Sequence, residues 1–164
     1  MASRSIPASF SLEDRASSAH MLNLLLADEF VLSTKTRNFH WNVTGETFGQ
    51  LHRLFNEQYD ELNQIIDDVA ERVRALGGTS AGSLGEYLKL TRLDETPAQP
   101  LAAAHMVESL LADHEAVIEQ LREGVAVSLE QYHDAGTSNF LSGLLERHEK
   151  TAWMLRAHLS EGVR

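Results

Sequence analysis

Apolar residues recur at helical spacing along most of the chain. The clearest series is Leu51, Phe55, Tyr59, Leu62, Ile66, Val69, Val73 and Leu76, which steps by 4, 4, 3, 4, 3, 4 and 3. That spacing lays one buried stripe on a long helix. Gly77-Gly78 follows at once, with Arg72 and Arg74 in the last turns, and predicts the stop. Upstream, Leu22, Leu25, Leu26, Leu32 and Phe39 mark a first helix. It is expected to start at Ser11, whose followers Glu13 and Asp14 suit the positive end of a helix dipole, and to run to about Asn42 and Gly45. A third helix is predicted from about Leu101, with Val107, Leu110, Leu111, His114, Val117, Ile118, Leu121 and Val125 on one side. Gly136 is expected to mark the next turn. The last helix carries Leu141, Leu144, Leu145, His148, Ala152, Leu155 and Leu159. Residues 1–10 are expected to form a short loose tail, with 11–164 as one folded unit.

Between the second and third long helices lies a connection, residues 77–99, rich in Gly, Ser and Thr at first and closed by Pro97 and Pro100. Its middle, Ser83 to Leu90, has the pattern of a short helix. Helices of about 25–30 residues are roughly 40 Å long. Ordinary bundle connections need only about 2–8 residues. A segment of this length instead runs the length of a bundle. The fold class expected is all-α, a ferritin-like four-helix bundle with a long crossover carrying a short helix.

Composition narrows the chemistry. Lys and Arg total 14 against 24 Asp and Glu, a net charge of −10, which argues against generic phosphate binding. Cys is absent, which excludes a disulfide framework, thiolate zinc sites, iron–sulfur clusters and Cys nucleophiles. The first 20 residues contain no apolar run resembling a signal-peptide core, and Leu24-Leu25-Leu26-Ala27 is far too short to span a bilayer. A cytoplasmic protein without membrane attachment is expected.

The residues equipped for chemistry are His40, His52, Asp67 and Glu71. His52, Asn56, Asp60, Asn63, Asp67 and Glu71 form a polar stripe beside the apolar one. Asp67 and Glu71 are spaced i, i+4 and project from one face. Carboxylates with imidazoles suit iron, manganese or zinc. His52 and Asp67 lie 15 residues apart on one helix, roughly 22 Å along its axis, and cannot hold one ion within a chain. Two copies of the helix packed antiparallel across a two-fold axis would bring His52 of one to Asp67 and Glu71 of the other, twice. A di-iron site inside the bundle would need two Glu-x-x-His pairs on different helices. Only one is present, Glu130 to His133.

These residues sit in a specific context. KTRNFHWNVTG at 35–45, LH at 51–52 and DDVAERVRALGG at 67–78 resemble the Dps family of mini-ferritins, and the likeness extends over the whole chain to HEKTAWMLRAHL at 148–159. The resemblance implies a homo-oligomer, a hollow dodecamer that oxidises ferrous iron, preferably with hydrogen peroxide, stores ferric mineral and protects against oxidative stress. It implies ferroxidase centres shared across two-folds, with His40 and His52 from one subunit and Asp67 and Glu71 from its neighbour. Asn56 stands where the family usually has Asp or Glu. It offers a carbonyl oxygen without a negative charge, which leaves the second iron position open. Asp134, Thr137 and Asn139 fall where the family lines its three-fold pores, with helix capping as the competing role. Trp41 is either a trap for oxidising equivalents or a packing residue.

His114 and His148 lie on apolar stripes and are expected to be satisfied core residues. His20, His105, His133 and His158 have no metal-ligand spacing. Two other functions compete with the ferroxidase. One is DNA compaction, expected to be weak or absent because the tail has Arg4 and no Lys. The other is a zinc- or manganese-binding cage with weak oxidation activity.

Overall fold

The computed structural model describes residues 11–159. Five helices follow one another: α1 (Leu12–Asn42), α2 (Phe48–Ala75), α3 (Leu84–Leu90), α4 (Ala103–Glu130) and α5 (Ala135–Leu159). There is no strand among the described residues. The expected 1–10 tail lies outside them.

Local chemistry sets the boundaries. Ser11 caps α1: its hydroxyl accepts from the Asp14 backbone N–H at 3.0 Å, and the Asp14 carboxylate accepts from the Ser11 N–H at 3.3 Å. At the far end of α2, Gly77 takes φ +85, the Gly78 N–H donates to the Val73 carbonyl and the Gly77 N–H to that of Arg74. This pair of bonds satisfies carbonyls that the helix end would leave bare. Ser83 caps α3, the short helix expected within the crossover. Gly136 does not mark a turn. It sits in the first turn of α5, and the chain reverses over Gln131–Asp134, where His133 adopts φ 54.

α1 packs along α2 and α4 along α5, giving two hairpins, with α3 lying on α1 as the crossover passes. Leu22, Leu26, Phe39, Phe55, Leu62, Leu110, Leu121 and Leu155 fill the space between them. The buried stripe of α2 is rotated slightly from the sequence reading. Gln58 and Ile65 are buried, whereas Tyr59 and Ile66 are only half-buried. A period of 3.6 residues lets two adjacent rows share one interface. Polar ties fix the crossover. Buried Asp28 accepts from the Thr91 hydroxyl, the Arg92 backbone N–H and the Arg92 guanidinium. Lys35 meets Asp113 of α4 at 2.6 Å, both largely removed from water. Burial pushes the Asp113 carboxyl up, and Lys35 partly offsets it.

Candidate metal centre

His40 lies in the last turn of α1 and His52 in the second turn of α2. The connection between them turns tightly, with Gly45 at φ 104, a left-handed conformation that favours glycine. The two rings therefore stack, with centroids 3.8 Å apart. Their bonding is reciprocal. His40 Nδ1 lies 2.8 Å from the His52 carbonyl oxygen, and His52 Nδ1 lies 2.8 Å from that of His40. A carbonyl only accepts, so each Nδ1 carries the hydrogen, and in the neutral form of each ring it is Nε2 that holds the lone pair. Backbone bonds of this kind fix the tautomer and the ring plane of a ligating histidine. Phe48 stacks on His52 at 5.0 Å, and Tyr59 meets His40 edge-on at 5.3 Å. The Arg37 guanidinium covers Tyr59 at 4.7 Å.

One turn beyond His52, Asn56 is already engaged. Its carbonyl oxygen accepts from the Tyr59 hydroxyl at 2.7 Å, and its amide donates to Asp60 at 2.9 Å. Asp67 and Glu71 are exposed and lie farther along α2, roughly 22 Å from His52 for the former. The fold thus brings His40 and His52 together and leaves Asp67 and Glu71 away from them. Among the described residues of one chain, no three His, Asp or Glu side chains converge as a metal site.

The remaining candidates separate clearly. Glu130 ends α4 exposed, and His133 lies beyond the helix, so this pair does not project into the bundle. Asp134 is buried and caps α5, accepting from the Thr137 N–H at 2.9 Å, from the Thr137 hydroxyl and from Arg72 at 3.1 Å. Capping therefore occupies Asp134 and Thr137, while Asn139 is exposed. Trp41 does not pack in the core: it is 68% exposed, beside an apolar groove that includes Phe30, Tyr87 and Leu88. His20, His105, His133 and His158 are exposed.

Four polar side chains of the interior escape the sequence reading of function: Glu29, Gln58, and His114 and His148 as a pair. The readable signal is a polar residue in an apolar register. Glu29 falls between Leu22, Leu25, Leu32 and Phe39, and Gln58 between Leu51, Phe55, Leu62 and Ile65.

Residues 19–164 match the ferritin-like domain family. DNA protection during starvation protein 2 of Bacillus anthracis is 40% identical over 141 residues, 86% of this chain and 95% of that protein. DpsC from Streptomyces coelicolor superposes with a TM-score of 0.91 at 31% identity, covering 98% of this chain and 94% of that one. The chain belongs to the Dps family of ferritin-like proteins. A Dps protein from Vibrio cholerae O1 superposes at 0.88 with 30% identity, over 98% of this chain and 99% of that one. It is described as a member of a broad superfamily of ferritin-like diiron-carboxylate proteins. The all-α four-helix bundle with its short crossover helix is the Dps fold. Membership places the chain among ferritin-like iron-storage and protection proteins.

Proposed function

We propose that the chain is a ferroxidase and iron-storage subunit whose iron sites form only where two copies meet. The observation that carries this reading is the His40–His52 pair, with both Nδ1 atoms bound to backbone carbonyls and both Nε2 atoms left as donors. Neutral imidazole nitrogens with carboxylate oxygens are a good donor set for iron. Asp67 and Glu71 supply the carboxylates from a second copy, because their own helix carries them out of reach of His52. A two-fold axis repeats the arrangement and makes two sites per interface. Phe48, stacked on His52, and Trp41, next to His40 in the chain and sharing a groove with Leu84 and Leu88, are large apolar side chains left exposed with those leucines, as a surface that packs on another copy requires. Twelve such subunits closing into a hollow cytoplasmic cage, as the Dps resemblance implies, give the ferric mineral its space.

Iron is the substrate. Two ferrous ions at one interface each lose an electron to hydrogen peroxide. The O–O bond breaks, two protons are taken up, and two waters leave with two ferric ions bound. A pair of electrons delivered together avoids the one-electron step that yields hydroxyl radical. Oxygen is the alternative oxidant. A second reading, a zinc- or manganese-binding cage with weak oxidation activity, is favoured by one observation. Asn56 is neutral and already bonded to Tyr59 and Asp60, so it gives the second position little charge.

The test is complementation between defective subunits. His52→Ala and Asp67→Ala cages should each assemble and oxidise iron with peroxide slowly. Co-assembly in equal amounts makes mixed interfaces with one intact site and one doubly defective site, and so restores on the order of a quarter of the sites. Recovery of oxidation in the mixed cages is the expected result. No recovery, or normal oxidation by either variant alone, contradicts the shared site, and zinc binding without oxidation by the unmodified cage favours the second reading.

A further inference from the structure

We infer that Glu29, His148 and His114 form a buried row with room for one proton between its two imidazoles, and that this row is an acid-sensitive latch between the two helical hairpins. Glu29 belongs to α1, His114 to α4 and His148 to α5, so the row joins one hairpin to the other. All three side chains are out of water, at 0%, 2% and 1% exposure. His148 Nε2 lies 3.0 Å from Glu29 Oε1, and His148 Nδ1 lies 2.9 Å from His114 Nδ1.

Two ring nitrogens at that distance need one hydrogen between them. A hydrogen on each would set N–H against N–H, so the rings cannot both be imidazolium without moving apart. Charging the second ring would also bury an unpaired cation next to the first. Consistent with this geometry, burial and then the His148 ring hold His114 well below the ordinary histidine range.

The surroundings offer the second proton no partner. α1 contributes only Glu29 to the row, and its oxygens accept no hydrogen bond, the His148 contact being an ion-pair distance off the line of one. From α2 come Gln58, a buried neutral amide with both atoms unbonded, and Glu61. From α5 comes Arg147, bound to Glu61 at 2.9 Å and near Asp68. The Lys35–Asp113 pair beside His114 is internally neutralised. A small void lined by Gln58, His114, His148 and Thr151, with Glu61 and Arg147 also on its wall, has room for about one water. His114, on its wall, has an unbonded Nε2.

The sign follows. His114 is neutral when folded, so its contribution to stability is complete above about pH 6.5, the ordinary histidine value. Below that pH the unfolded chain binds a proton that the folded chain refuses. The ratio of open to closed chain then rises by up to about tenfold per pH unit from this group, until the depressed value is reached.

Urea unfolding of the assembled protein, at fixed subunit concentration and from about pH 7.5 to 4.5, tests the latch against His114→Gln. The natural chain should lose folded-to-open ratio more steeply with acid, by close to one extra proton. His114→Gln should lack that increment whatever its stability at neutral pH. A merely structural role would shift both profiles without changing their slope, and equal slopes would overturn the latch. To keep the test independent of how His114→Gln folds, histidine C2–H exchange on the unmodified assembly, read by mass spectrometry, gives a second measurement. His114 should show no titration near pH 6.5, and a midpoint there overturns the proposal.

Discussion

Asn56 shows how one side chain sets the balance of the proposed iron site. Its carbonyl oxygen is held by Tyr59 and its amide by Asp60, so the position contributes a dipole where a carboxylate would contribute a charge. Asn56→Asp should tighten the weaker iron position and speed the early phase of iron oxidation, as iron titration calorimetry and stopped-flow absorbance would record. It should also place two carboxylates four residues apart, because Asp60 loses its amide donor. Like-charge pairs at that spacing cost a helix about 0.2–0.5 kcal/mol. The metal-free variant should therefore melt slightly below the natural protein and regain the difference when iron is bound. Equal stoichiometry and affinity in the two forms would show that position 56 does not limit the site.

Among the elements, the end of α2 separates two roles for adjacent glycines. Gly77 has φ +85 and open space around it, so a side chain there meets only the backbone penalty. Gly78 has ordinary backbone, but a Cβ there would lie 2.8 Å from the Ala19 Cβ and 3.1 Å from Val73. Gly77→Ala should cost about 1–2 kcal/mol through conformation alone. Gly78→Ala should cost at least as much through the contact with α1, as large-for-small changes in packed interiors do. A double-mutant cycle distinguishes them. Ala19→Gly should couple favourably with Gly78→Ala and add independently to Gly77→Ala. Coupling with Gly77→Ala instead would contradict this account of the helix end.

For the whole molecule, charge governs what the surface attracts. The chain carries −10 with only three lysines, and one of these, Lys35, is buried against Asp113. Relatives are named for protecting DNA, yet phosphate contact depends on accessible Lys and Arg. Binding of linear duplex should be weak near physiological salt, about 150 mM. It should fall further as salt rises, as a gel shift series would show. Robust retardation under those conditions would require a basic patch outside the charge balance described here.

Local signals along the chain settled the elements and the donor types. Periodicity marked the four long helices and the short crossover helix, Ser11 and Gly77-Gly78 marked ends, and spacing along one helix already separated His52 from Asp67. These are local matters: an i, i+4 step, a capping hydroxyl and a glycine in a left-handed turn need no distant partner. Packing of the helices settled what depends on residues far apart in sequence. The reciprocal bonds of His40 and His52 arise only when α1 and α2 lie side by side, and that contact fixes which ring nitrogen is free. Asp134 became a cap and an Arg72 partner once α2 reached the start of α5. Gln58 rather than Tyr59 faced inward because four helices, not one, choose the buried row. Glu29, His114 and His148 were legible singly as polar residues in apolar stripes. Their meeting in one row, with a single hydrogen between two rings, required three helices to be packed around the same dry interior.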